Sequence, residues 1–283
     1  MKLLPLAALL LSLVSCRPLA DSPTPPPLAA RASAGETPSG AGIQPEAVEV
    51  DRAVAPPAVA SSAAFSPRAF DSTIGGISFE GVAFHAGTHR LSVADQAAGP
   101  GSQWADARAA GAGGLAAINA SFFNPDGSPL GLVVTGGSRR GSINRASSLG
   151  AGFFVESSSG ELRLVRREHF QGGREAVQAG PFLVENGRAV GGLSDAGSSA
   201  RSFIATDGRG GWVMARTGPG SLAALGQALQ NAELGGVKIR SALNLDGGRS
   251  SEIWVSDQVA GGPRFTRPFW NSSVRNYLVL RKR

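Results

Sequence analysis

The feature that most constrains this chain is its punctuation: short apolar runs stopped, again and again, by glycine-bearing turns. Gly152-Phe153-Phe154-Val155 is parted from Leu162-Arg163-Leu164-Val165 by Ser157-Ser158-Ser159-Gly160. Pro181 to Val184 stops at Glu185-Asn186-Gly187, and Ser202 to Thr206 stops at Asp207-Gly208-Arg209-Gly210-Gly211 before Trp212 to Ala215. Glycine supplies the left-handed dihedrals that tight strand-to-strand connections need, so each triplet of run, turn and run reads as a hairpin. Ile77, Phe79, Val82 and Phe84, then Leu91 and Val93, alternate in the same way across a turn at Gly87-Thr88-His89. Helices are few. Ser221 to Leu234 has a Ser cap after Pro219-Gly220, puts Leu222, Leu225, Leu229 and Ala232 on one face, and closes at Gly235-Gly236. Ser102 to Ala110 is a shorter candidate. The expected class is α+β, with a largely antiparallel or mixed sheet built from hairpins, helices packed on it, and the outline of two similar halves.

Those halves share a plan: a helix, a glycine-rich stop, then a buried strand ending on polar groups. Leu115 to Ile118 runs into Asn119, and Ala242-Leu243-Asn244-Leu245 runs into Asp246-Gly247-Gly248-Arg249-Ser250-Ser251. A carboxylate at the end of a buried strand is costly unless it has partners or a task. Glycines beside it let a ligand approach the main chain. Read alone, Asp246-Gly247 is equally well an ordinary hairpin turn. Asn119-Ala120-Ser121-Phe122-Phe123 combines an amide, a hydroxyl and aromatic faces, the groups a sugar site uses, though a Phe pair also anchors loops. Arg201 opens an otherwise apolar strand and has the fork geometry for a phosphate. Gly180-Pro181 marks a close backbone approach or a bulge.

The ends of the chain carry a different message. Met1-Lys2, the apolar run Leu3 to Val14, and Ser15-Cys16 have the form of an export signal too short to span a bilayer. Leu13-Val14-Ser15-Cys16 resembles a bacterial lipobox, with Cys16, the one cysteine, as the lipidated residue. Residues 1–15 are therefore expected to be a signal peptide and 16–68, rich in Pro, Ala and Ser, a disordered tether. Residues 69–283 then form the folded domain. Localisation follows as exported and membrane-anchored at the bacterial envelope, on the periplasmic face; Arg17 after the cysteine is compatible with the outer membrane. The domain holds 22 basic and 16 acidic residues, a net +6 that suits an anionic glycan or sugar-phosphate substrate. No basic motif interleaved with aromatics points to nucleic acid.

Other chemistries find no support. His85, His89 and His169 lack metal-ligand spacing, and neither a Gly-x-Ser-x-Gly elbow nor a phosphate-binding loop of the Walker type occurs. Asp126 and Asp195 suit loop turns better than calcium, and no cofactor or metal is assigned.

Four segments, in order, resemble the phosphodiester glycosidase family: Ala117 to Phe123, Gln178 to Val184, Ala200 to Ala205 and Leu243 to Ser251. The likeness extends over about residues 75–280, including the closing strand Val274 to Val279. Three residues depart from the family pattern, with Ala120-Ser121 and Arg249 where glycines are usual. The resemblance implies hydrolysis of a sugar-1-phosphodiester, of the N-acetylglucosamine-1-phosphodiester kind, at the anomeric C–O bond. It implies Asp246 as nucleophile or base, Arg201 on the phosphate, and Asn119 on sugar hydroxyls or orienting an acid. Ser121, Phe123, Gly180, Asn244, Gly247, Gly248, Ser250 and Ser251 would line the substrate site, and Glu252 is a candidate second carboxylate. A non-catalytic glycan-binding lipoprotein and a phosphodiesterase cutting the P–O bond are the competing expectations.

Overall fold

The structure, a computed structural model, describes residues 65–96, 103–271 and 274–283. The signal segment, Cys16 and nearly all of the expected tether lie outside the described residues. The first strand, Arg68–Ile74, begins at the last residue assigned to that tether, and Phe65 before it packs on the core.

Among the described residues, the strands form one seven-stranded sheet, two five-stranded sheets and a two-stranded ribbon, and every strand pair within them is antiparallel. The hairpins expected from the turns are present: Gly152–Glu156 with Leu162–Arg166, Phe182–Glu185 with Arg188–Ala189, and Ser202–Thr206 with Gly211–Thr217. The α+β class with a hairpin-built antiparallel sheet is what the chain adopts.

The seven-stranded sheet places Ser241–Asn244 between Ser202–Thr206 and Phe182–Glu185. Both faces of that strand are covered. Ala242 joins Leu183, Val184, Phe203 and Ala205 beneath Leu225 and Leu229 of the helix Leu222–Leu229. Leu243 faces the other way into a core shared by all three sheets, with Ile204 from its own, Ile118 and Leu278 from the second, and Phe154 and Val177 from the third. Such two-sided burial explains why the strand reads as continuously apolar rather than alternating.

The second sheet runs Arg264–Thr266, Ile253–Val255, Ala116–Asn119, Asn276–Lys282, His89–Asp95. Ala116–Asn119 is central and wholly buried, and it ends at Asn119 as expected.

Two helices are shorter than their patterns suggest. Ser221 caps the longer one through Ala224 N, but it ends at Leu229, because Gln230 turns extended with ψ 119° and Asn231 follows with a left-handed φ of 58°. Glu233–Leu234 then pairs with Val237–Lys238 across Gly235-Gly236, so the glycines close a ribbon and not the helix. The earlier candidate is one turn, Ala107–Ala110, capped by Asp106.

Candidate functional site

The two strand ends meet. Asn119 Nδ2 donates to the Asp246 carbonyl at 2.7 Å, and Asp246 N donates to the Ala120 carbonyl at 2.8 Å. Strands from different sheets thus deliver Asn119 and Asp246 to one place.

Asn119 is fully buried and each side of its amide is engaged. Its Oδ1 accepts from Ser202 Oγ at 2.6 Å and from Glu252 N at 3.1 Å. Ser251 Oγ lies 2.9 Å from Ser202 Oγ, and Arg216 Nε donates to the Ser251 carbonyl at 3.0 Å. Asn119, Ser202 and Ser251 therefore knit the segments at 119, 202 and 246–252 together. In a water-excluded setting such a network fixes one geometry.

Asp246 sits at the open side of this knot, partly exposed. Gly247 N and the Ser250 hydroxyl both hydrogen-bond its carboxylate. Burial outweighs those two bonds and pushes its pKa up to about 6. A carboxylate raised by desolvation at a strand end, beside glycines, makes Asp246 the leading candidate for a working group.

Arg201 lies against the same turn. A side chain at Gly247 would place its Cβ 3.4 Å from Arg201 Cδ and 3.0 Å from the Ala200 carbonyl, so glycine is what lets these segments pack. The guanidinium forms no ion pair among the described residues; its one hydrogen bond is a long 3.4 Å contact from Nε to the Gly220 carbonyl. Burial lowers its pKa, a penalty on the cation that a bound anion relieves.

The remaining sequence candidates fall in two groups. Gly248 lies at the surface of the turn, with a left-handed φ of 61° and open space where a Cβ would point. Phe123 is half-buried and bridges Pro129. The others make hydrogen bonds or close contacts within the fold, although the buried Asn244 Oδ1 has no partner among the described residues. The N–H groups of Gly247 and Gly248 are spent on Asp246 Oδ1 and the Ala200 carbonyl. Ser121 is buried, its N and Oγ both on Asn276 Oδ1. Asn244 Nδ2 binds the Gly180 carbonyl at 2.9 Å, and Gly180 itself runs against the Ser148 backbone. Glu252 is wholly buried, its carboxylate taken by Tyr277 Oη, by Asn271 Nδ2 at 3.0 Å and by Arg267 at 3.9 Å. Asp126 and Asp195 accept hydroxyls from Ser128 and Ser221 as turn and cap residues.

Two clefts, of about 500 and 510 Å³, open on the domain, the second lined by Arg216, which holds the Ser251 carbonyl, and by Gly218. The first, with Thr206, Trp212 and Ser241, is at the opposite ends of the strands that carry the site. Neither Asp246 nor Arg201 lines either cleft.

Asn276 went unread at the sequence level. Its Nδ2 reaches Ser121 Oγ at 2.8 Å and Asp95 Oδ1 at 3.3 Å, and Arg275 beside it ion-pairs with Asp95. An Arg-Asn pair opening an apolar strand was the available signal.

The domain is thus a hairpin-built α+β fold with a desolvated carboxylate, and an arginine that forms no ion pair among the described residues, at converging strand ends. The phosphodiester glycosidase family model matches residues 112–281, and the chain belongs to that family. The fold is similar to the auto-inhibited catalytic domain of zebrafish N-acetylglucosamine-1-phosphodiester alpha-N-acetylglucosaminidase, with a TM-score of 0.56 and 15% identity over 79% of this chain and 85% of that one. It is also similar to a hypothetical protein from Synechocystis, with a TM-score of 0.50 and 18% identity over 76% of this chain and 61% of that one. No curated protein matches the sequence.

Proposed function

We propose that the protein is an exported envelope hydrolase that cleaves sugar-1-phosphodiesters at the anomeric C–O bond. The carrying observation is the Asp246 carboxylate, raised to about 6 by burial, at the start of a turn whose Gly247 packs against Arg201. Family membership supports the reaction class. In the reaction, an oxygen nucleophile forms a bond to the anomeric carbon and the C–O bond to phosphate breaks, its electron pair leaving on the phosphate oxygen. A phosphomonoester, with a second pKa of about 6, leaves without a strong general acid. Asp246 takes the proton of an attacking water, or attacks the anomeric carbon itself to give a glycosyl ester whose C–O bond water then breaks, releasing the sugar and restoring the carboxylate. Arg201 holds the phosphate and stabilises the charge it gains. Asn119, with no free hydrogen-bonding side, is a positioning residue for Asp246 in this scheme, and the internal bonds of Glu252 give it a structural part. Lipid attachment at Cys16 would hold the domain at a membrane surface; among the described residues no helix is long and apolar enough to cross one.

The products test the reading. Incubation with methyl N-acetylglucosamine-1-phosphate diester is expected to release free N-acetylglucosamine and methyl phosphate. Sugar-1-phosphate would instead mean P–O cleavage, and binding without any product would mean a glycan-binding protein on this fold.

The pH profile is a second test. Asp246 must be ionised to act, and its pKa is raised, so turnover should climb as pH rises through about 6 and then level off. A flat profile between about pH 4.5 and 7.5 would remove Asp246 from the chemistry.

A further inference from the structure

We propose that Phe269 and Trp270 form an aromatic subsite beside the Asp246 turn for a second sugar ring, so that the substrate is an oligosaccharide or longer glycan. What occupies the neighbouring position rests on the glycosidase reading above.

Among the described residues these two are the exposed large hydrophobic side chains, at 90% and 74%. Leaving two aromatic rings in water forgoes some of the most favourable burial open to any side chain. They are also ordered with respect to each other, ring centroids 4.9 Å apart in an edge-to-face contact. That contact leaves flat aromatic surface facing solvent.

Their segment is fastened to the candidate site. Arg249 Nε donates to the Trp270 carbonyl at 3.0 Å, and Asn271 Nδ2 donates to Glu252 Oε2 at 3.0 Å. Both fasteners land within six residues of Asp246, on the turn that presents it. On the other side, Arg267 Nη1 donates to the Ala105 carbonyl at 3.3 Å. The rings are thus carried on a pinned strap whose position is tied to that of Asp246.

A pyranose suits such a platform. Its C–H face is apolar and lies flat on an aromatic ring, while its hydroxyls stay in water around the rim. Arg249, a bulky cation in the turn, gains a purpose on this reading: it ties the strap down and adds positive charge beside a phosphate-bearing glycan.

The test uses the full mature chain carrying Asp246→Asn, with isothermal titration calorimetry as readout and neutral sugars as probes. N-acetylglucosamine and its β-1,4-linked tetramer are titrated in parallel. The tetramer is expected to bind at least about tenfold more tightly, and Trp270→Ala to abolish that preference, with Trp270→Phe keeping most of it. Melting temperatures confirm folding of each variant. Equal affinities for monomer and tetramer, or a preference untouched by Trp270→Ala, would overturn the subsite. So would a Trp270-dependent attachment to phosphatidylglycerol vesicles with no response to the tetramer, since the pair would then be a membrane contact. The probes lack phosphate, so a tetramer response in a protein that ignores the methyl phosphodiester would support the subsite while sinking the hydrolase reading.

Discussion

Asp246→Asn is expected to lower turnover at least about a hundredfold and, at neutral pH, to make the protein more stable. The two effects share one cause. Folding buries the carboxylate and raises its pKa from 3.8 to about 6, so the folded state binds a proton more readily than the unfolded chain. The protonated form's advantage is present below the unfolded value and is lost as pH rises through about 6; above that, ionised Asp246 costs stability. Asparagine keeps the shape and still accepts from Gly247 N, but carries no charge to desolvate. The expected gain at pH 7 is up to about 3 kcal/mol, shrinking as pH falls below about 6. Binding of a phosphodiester should persist, since Arg201 is untouched, whereas Arg201→Ala should weaken it. Steady-state kinetics with denaturant melts at two pH values decide the matter. An asparagine variant with wild-type turnover would end the catalytic role, and one that is inactive but strongly destabilised would mean that the carboxylate holds the turn together.

Much of this was legible in the chain because local chemistry decided it. Ser221 is a serine before an apolar helix and it caps. Ala116–Asn119 and Ser241–Asn244 are short apolar runs that end on amides, and they are central strands. The meeting of Asn119 with Asp246 was legible too, since two buried strands ending in polar groups have few ways to satisfy them except with each other. What was not legible depends on partners distant in sequence. Nothing near Asn119 announces that Ser202 and the Glu252 amide will consume its oxygen, and so turn a candidate substrate ligand into a brace. The split into three sheets was equally hidden, because a hairpin specifies its own partner strand and not the sheet it joins. The helix through Leu234 was overextended because Ala232 continues the apolar face, while the backbone leaves the helix at Gln230 and Asn231 then takes a left-handed φ.

The largest loss of stability is expected from Arg275→Met, about 3–5 kcal/mol. Arg275 and Asp95 are both almost wholly buried. Nε lies 3.1 Å from Asp95 Oδ1 as an ion-pair contact, and Nη2 donates to Asp95 Oδ2 at 3.2 Å and to the Gln96 carbonyl at 3.1 Å. Nη1 binds the Gly127 carbonyl, which pins the loop after Ser121. Burial raises the pKa of Asp95, and the Arg275 charge is the largest influence opposing that rise. Methionine has nearly the right volume but strands a buried carboxylate with only Asn276 and the half-exposed Arg140 to answer it. Replacing both partners, Arg275→Met with Asp95→Asn, removes the stranded charge and should recover a substantial part of the loss. The damage also has a direction. Asp95 steadies Asn276, Asn276 holds Ser121, and Ala120 accepts the Asp246 amide, so the single variant should lose turnover at temperatures where it is still folded. Urea denaturation of the two single variants and the double variant measures the coupling. A loss below about 1 kcal/mol for Arg275→Met, or a double variant no better than the worse single, would mean that the pair does not hold this end of the site in place.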